Sequence, residues 1–247
     1  MTQRLIAPRL VALGDSFSCG EGVGVRVPIA QAWSTVLARH AGLEPFPLAR
    51  PGARVRDLRD QQLPLTPDSP VATVLVGLND VCRGAFDAGR FADDYHALVD
   101  GLLRRVDVVL VGRLHNPTQF LWVPKRLRRI VEARTAAINA AIDDVARGQD
   151  RVPALDLAAV EALQLRCAWA ADGVHPTVFG HTALASAGAE TLRETGRGVE
   201  PVVLPLRAKG TTKVRHAVWL ARHGVPYLAL NARVFATPIA EGLRRAG

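Results

Sequence analysis

Four short stretches hold residues whose types could do chemistry together: Gly14-Asp15-Ser16, Arg50-Pro51-Gly52-Ala53, Gly77-Leu78-Asn79-Asp80 and Asp172-Gly173-Val174-His175-Pro176. Acyl transfer needs a nucleophile, a base to take its proton, a group to orient that base, and donors aimed at the developing oxyanion. Ser16 offers the hydroxyl and His175 the base. Asp172, three residues earlier, can reach the other imidazole nitrogen if the segment makes one turn. Asn79 brings a side-chain amide, and the backbone N–H groups of Ser16 and Gly52 can complete an oxyanion hole. A glycine at 52 suits that role, because a residue without Cβ lets backbone approach a ligand closely. Each motif alone is weak, and their joint occurrence in this order is specific. A Gly-x-Ser-x-Gly elbow is absent, which argues against an ordinary α/β-hydrolase.

The elements that must position these residues can be read from apolar patterning. Buried parallel strands are expected at Arg9 to Leu13, Val71 to Val76, Val106 to Val111 and Val152 to Leu155, with a weaker candidate at Pro45 to Ala49. Helical periodicity runs through Ala30 to Ala41, Val55 to Gln62, Arg90 to Arg105, Lys125 to Ala146 and Thr177 to Glu194. Strand and helix alternate, so a parallel sheet covered by helices on both faces is expected. In such sheets chemistry gathers at the carboxyl ends of the strands, and the motifs above would meet there.

Several tempting residues have plainer readings. Asp15 and Asp80 flank reactive positions, yet short carboxylates at strand ends usually cap backbone amides. His181 reads as a packing residue. His115-Asn116-Pro117 either lines a pocket or makes a turn. The loop Gly20 to Gly24 does not match a nucleotide-binding spacing and reads as a flexible pocket rim. Leu63 to Pro70 reads as a Pro-rich loop, and Lys125 to Arg129 as a solvated helix face.

The net charge of +8 invites a nucleic-acid reading. However, 28 of the 31 basic residues are Arg, a bias that coding composition alone can produce. Residues 197–247 hold nine Lys or Arg against Glu200 and Glu241, so +7 of the excess is local. Nucleic acid is therefore not an expected partner, although the basic segment could contact an anionic surface weakly. The expected organisation is one domain over residues 1–196 and a basic extension over residues 197–247, with helical spacing at Thr212 to Arg222, packed on the body. Three widely spaced cysteines, no signal-peptide pattern around Arg4 and Arg9, and no run of about 18 apolar residues lead us to expect a cytoplasmic protein without a membrane span.

The four blocks, in order and at these distances, resemble the SGNH (GDSL-like) hydrolase family across about residues 9–194. The four residues that give that family its name correspond to Ser16, Gly52, Asn79 and His175. The resemblance implies a flavodoxin-like three-layer α/β/α sandwich, ester or acyl chemistry on a small-molecule substrate, and no cofactor or metal. It implies Ser16, Asp172 and His175 as catalytic residues and Ser16, Gly52 and Asn79 as the oxyanion hole. The expected activity is hydrolysis of small carboxylic esters through an acyl-enzyme on Ser16. The alternative is an acyltransferase of the same fold with an alcohol or sugar acceptor. One departure is Phe17, where many members have Leu; the position stays apolar.

Overall fold

A computed structural model describes residues 7–22, 24–82, 86–121, 123–205 and 212–226. Strand β1 (Arg9–Gly14) leads into a short helix α1 (Ser16–Cys19) and a two-stranded hairpin, β2 (Glu21–Gly22) and β3 (Val25–Arg26). Then come α2 (Trp33–His40), β4 (Glu44–Pro47), α3 (Val55–Asp57), β5 (Ser69–Leu75), α4 (Leu78–Cys82) and α5 (Ala88–Leu103). The remainder is β6 (Val106–Arg113), α6 (Lys125–Ala146), β7 (Ala154–Asp156), α7 (Val178–Glu194) and α8 (Lys213–Trp219).

Five parallel strands form the central sheet in the order β4-β1-β5-β6-β7. Leu10, Val11 and Leu13 of β1 are fully buried, as are Val109 and Val111 of β6. A parallel strand buried on both faces must be apolar at every position, and this is why these strands stand out as unbroken runs. Helices α2 and α7 pack together in one layer and α5 and α6 in the other, giving the expected three-layer sandwich. Counting only the five strands of this sheet, the spatial order is 2-1-3-4-5, so chain direction across the sheet reverses between β1 and β5. Ligands of such open sheets bind at that reversal, beyond the carboxyl ends of the strands. Gly14 pairs with Leu75 in register, so the loops carrying Ser16 and Asn79 leave the sheet side by side.

Three helices and a loop differ from the sequence expectation in detail. The helix expected from Ala30 opens as a 3-10 turn at Ile29–Gln31, and α2 begins only at Trp33. The helix expected over Val55 to Gln62 is α-helical for one turn and then widens into a π-turn at Leu58–Gln62. The helix expected over Thr212 to Arg222 is α8 followed by a π-turn at Leu220–Gly224. The expected loop Leu63 to Pro70 contains a 3-10 turn at Leu63–Leu65, and its last two residues already belong to β5. Beyond α7, Val199 and Val202 join the hydrophobic core, and Glu200 N–H bonds the carbonyl of His40. Parts of the basic extension, 206–211 and 227–247, lie outside the described residues.

Candidate active site

Ser16 is the first residue of α1, separated from the end of β1 by Asp15 alone. Asp15 caps that helix: its Oδ1 accepts the N–H of Phe17 at 2.9 Å, and its carbonyl accepts from Ser18 and Cys19. The peptide at the strand end is gripped by Gln62, whose Oε1 accepts Gly14 N–H at 3.0 Å while its Nε2 donates to the Gly14 carbonyl at 2.9 Å. Gln62 is 2% exposed, and this two-point clamp spans 48 residues of sequence. No local pattern points to it.

His175 brings Nε2 to 2.9 Å from Ser16 Oγ and Nδ1 to 2.5 Å from Asp172 Oδ2. A carboxylate only accepts, so Nδ1 carries the proton and Nε2 is left as the acceptor for the serine hydroxyl. The other oxygen of Asp172 accepts the backbone N–H groups of Val174 and His175 at 2.9 and 3.0 Å, which folds the segment into the turn that the three-residue spacing requires. Gly173 supplies the positive φ of 73° at that turn. Asp172 is 3% exposed, so its charge is shielded from water and aimed at the imidazole.

The β2–β3 hairpin, expected as a flexible rim, is paired backbone that backs onto this imidazole. A Cβ built on Gly22 would lie 2.4 Å from His175 Nδ1, so only glycine lets the hairpin seat there.

Asn79 sits in α4, just past the end of β5, and its Nδ2 donates to Asp15 Oδ2 at 3.1 Å and to the Ala53 carbonyl at 3.2 Å. Both N–H groups of the amide are therefore engaged, and an oxyanion would compete with Asp15 and Ala53 for one of them. Gly52 lies in the turn from Arg50 to Ala53, closed by Ala53 N–H on the Arg50 carbonyl, with φ of 78°. Arg50 N–H bonds the Gly14 carbonyl, which holds this turn against the end of β1. The structure thus brings Ser16, Asp172 and His175 into one hydrogen-bonded array, and it ties the Asn79 and Gly52 segments to the loop that carries Ser16.

The buried titratable groups around the site have distinct roles. Burial pushes the Asp15 carboxyl up to about 6, against the opposing pull of the Phe17 N–H, His175 and Asn79. Burial likewise pushes Asp80 up to about 7, and its Oδ2 accepts Val55 N–H at 3.2 Å, tying α4 to the start of α3. Both carboxylates are the backbone caps their positions suggested. His181 is a fully buried packing residue that accepts Trp33 N–H on Nδ1, and burial pulls it down to about 3. His115 is buried as well: its ring stacks on Trp169 with centroids 4.4 Å apart, and burial pulls it down to about 4. With Asp15, Phe17, Leu78 and Pro117 it borders a small, largely apolar cavity next to the Ser16 segment. No disulfide joins Cys19, Cys82 or Cys167. Among the described residues no helix is long and apolar enough to cross a membrane.

Comparison with known proteins bears on the family and the fold. Residues 12–183 match the GDSL-like Lipase/Acylhydrolase family. Among solved structures, TesA is 17% identical with a TM-score of 0.59, covering 76% of this chain and 99% of its own. The psychrotrophic esterase EstA from Pseudoalteromonas sp., inhibited by monoethylphosphonate, is 13% identical with a TM-score of 0.56, covering 75% of this chain and 97% of its own. A variant of Axe2, an acetyl xylan esterase from Geobacillus stearothermophilus, is 19% identical with a TM-score of 0.53, covering 80% and 97%. At such identities these structures speak for the fold alone. Curated protein sequences gave no match. The family match spans more than half the chain and contains every residue of the array, so this chain belongs to the GDSL-like lipase/acylhydrolase family.

Proposed function

We propose that the protein is a serine esterase that hydrolyses small carboxylic esters through an acyl-enzyme on Ser16. The observation that carries this reading is the continuous array Ser16 Oγ, His175 Nε2, His175 Nδ1, Asp172 Oδ2, with separations of 2.9 and 2.5 Å. In it, Ser16 Oγ attacks the ester carbonyl as His175 Nε2 takes the hydroxyl proton. Asp172 holds the imidazole in the required tautomer and stabilises the imidazolium that forms. The N–H groups of Ser16 and Gly52 and one N–H of Asn79, released from Asp15 or Ala53, stabilise the oxyanion. His175 then returns the proton to the leaving alkoxide. A water molecule, deprotonated by His175, attacks the acyl-serine; the acid leaves and Ser16 regains its proton.

Transfer to an alcohol uses the same acyl-enzyme and differs only in the second nucleophile. The test is partitioning: an activated short-chain ester as donor, with a panel of alcohols and sugars at millimolar concentration. Hydrolysis predicts product ratios that follow acceptor concentration weakly and without saturation. Saturable, regioselective transfer to one acceptor would replace the hydrolase reading with the transferase one. No ester turnover by the parent protein, or turnover retained in Ser16→Ala, would contradict both.

A further inference from the structure

The segment 212–226 has no part in the chemistry above, yet it reaches the site from two directions. Thr212 caps α8 by accepting Arg215 N–H, and α8 then presents His216 to the loop that carries Asp172. His216 Nδ1 lies 2.5 Å from the carbonyl oxygen of Ala171, the residue before Asp172. A carbonyl only accepts, so this nitrogen donates. The two preceding carbonyls, Trp169 and Ala170, each accept from Arg166 Nη1, at 3.0 and 2.9 Å. Three successive carbonyls leading into Asp172 are thus held by side-chain donors, the last of them from the far C-terminal side of the sequence.

The second contact falls on the other wall. Past α8, whose His216 and Trp219 rings stack 19° from parallel, the chain turns so that His223 lies over the hairpin. A Cβ on Gly24 would come within 2.7 Å of the His223 ring. Gly24 lies between β2 and β3 of the hairpin whose Gly22 backs onto the His175 imidazole. One strap therefore touches the loop that orients the base and the hairpin that backs it.

Fold stability does not demand this arrangement, because a partly exposed carbonyl such as that of Ala171 can be satisfied by water. Reactivity is far more exacting: displacement of a reacting group by about 1 Å can cost about 100-fold in rate. We infer that residues 212–226 form a positioning strap for the Asp172–His175 pair, with His216 as its positioning residue. The inference rests on the reading of Ser16, His175 and Asp172 as the reacting array.

Two substitutions at one site separate positioning from packing. His216→Phe keeps ring volume and the stack on Trp219 but removes the donor, whereas His216→Asn keeps an N–H near the place of Nδ1. The strap predicts kcat about 10-fold lower in the Phe variant with KM within about twofold, and recovery of most of that loss in the Asn variant. Amide hydrogen exchange of residues 170–176 should be faster in the Phe variant and near the parent's in the Asn variant. Equal kcat in all three proteins, or an Asn variant no better than Phe, overturns the inference. Unchanged exchange over 170–176 in the Phe variant overturns it independently of activity. If instead the parent protein turns over no ester while exchange responds as expected, the strap stands as a clamp on Asp172 and the esterase reading fails.

Discussion

Asn79 Nδ2 stands 3.1 Å from Asp15 Oδ2, so the amide expected to face an oxyanion is tied to the carboxylate beside Ser16. The bond places Asn79 while its other N–H rests on Ala53, and a developing negative charge would draw one N–H away. Such a donor acts mainly when charge appears. Asn79→Ala should therefore lower kcat by about 10²- to 10³-fold with KM little changed, read from steady-state kinetics on an activated ester. A change confined to KM would make Asn79 a substrate-binding residue instead.

Gly22 offers a sharper geometric test. In Gly22→Ala the new methyl would overlap the His175 ring at 2.4 to 2.7 Å, and either the hairpin or the imidazole must move. A shift of the ring away from Ser16 should reduce kcat by at least about 10-fold in a protein that still melts cooperatively. Full activity in this variant would show that the hairpin yields and the imidazole does not depend on it.

The Gln62 clamp predicts a stability effect with a catalytic shadow. Gln62→Leu keeps volume but strips partners from the buried N–H of Gly14 and one partner from its carbonyl, which Arg50 N–H still satisfies. A loss of about 1 to 3 kcal/mol is expected in urea unfolding, the cost of a buried group left unpaired. A variant as stable as the parent would mean that water reaches this strand end.

Buried titratable groups give opposing pH dependences. Asp80 has its folded value raised to about 7 by burial, so from about pH 4 to 7 the native state holds a proton that the unfolded chain has lost. Stability contributed by this group falls as pH rises through that window. His181 has its folded value lowered to about 3, so between about pH 3 and 6.5 the unfolded chain holds the extra proton. Its contribution falls as pH drops. Relative to the parent, Asp80→Asn should gain about 1.4 kcal/mol per unit as pH is raised from 4 toward 7, and His181→Asn should gain similarly as pH is lowered from 6.5. Denaturant unfolding at several pH values checks both signs, and difference curves that stay flat would contradict the burial of these charges.

The strands and long helices were legible because their signals are local. Strand β1 reads as an unbroken apolar run since both faces are buried, and α6 runs from Lys125 to Ala146 as its periodicity indicates. The array was legible for another reason: Asp172 and His175 lie one turn apart, and Ser16 follows a strand end directly. The hairpin was not, because two residues per strand carry no alternation and its seat is fixed by His175, over 150 residues away. Gln62 and His216 were also beyond reach, since each acts through a single long-range contact with a backbone group and leaves no pattern in its neighbours. His115 could be read as a turn or a pocket residue; its burial on Trp169 depends on packing between distant segments.

The proposed reaction stands or falls on Ser16 as its nucleophile. An alkyl fluorophosphonate reacts with a serine hydroxyl whose proton a neighbouring base can accept, and peptide mass spectrometry locates the adduct. One adduct per chain is expected, on Ser16, with labelling and ester hydrolysis both abolished in Ser16→Ala. Labelling at another residue, or labelling that persists in Ser16→Ala, would contradict it.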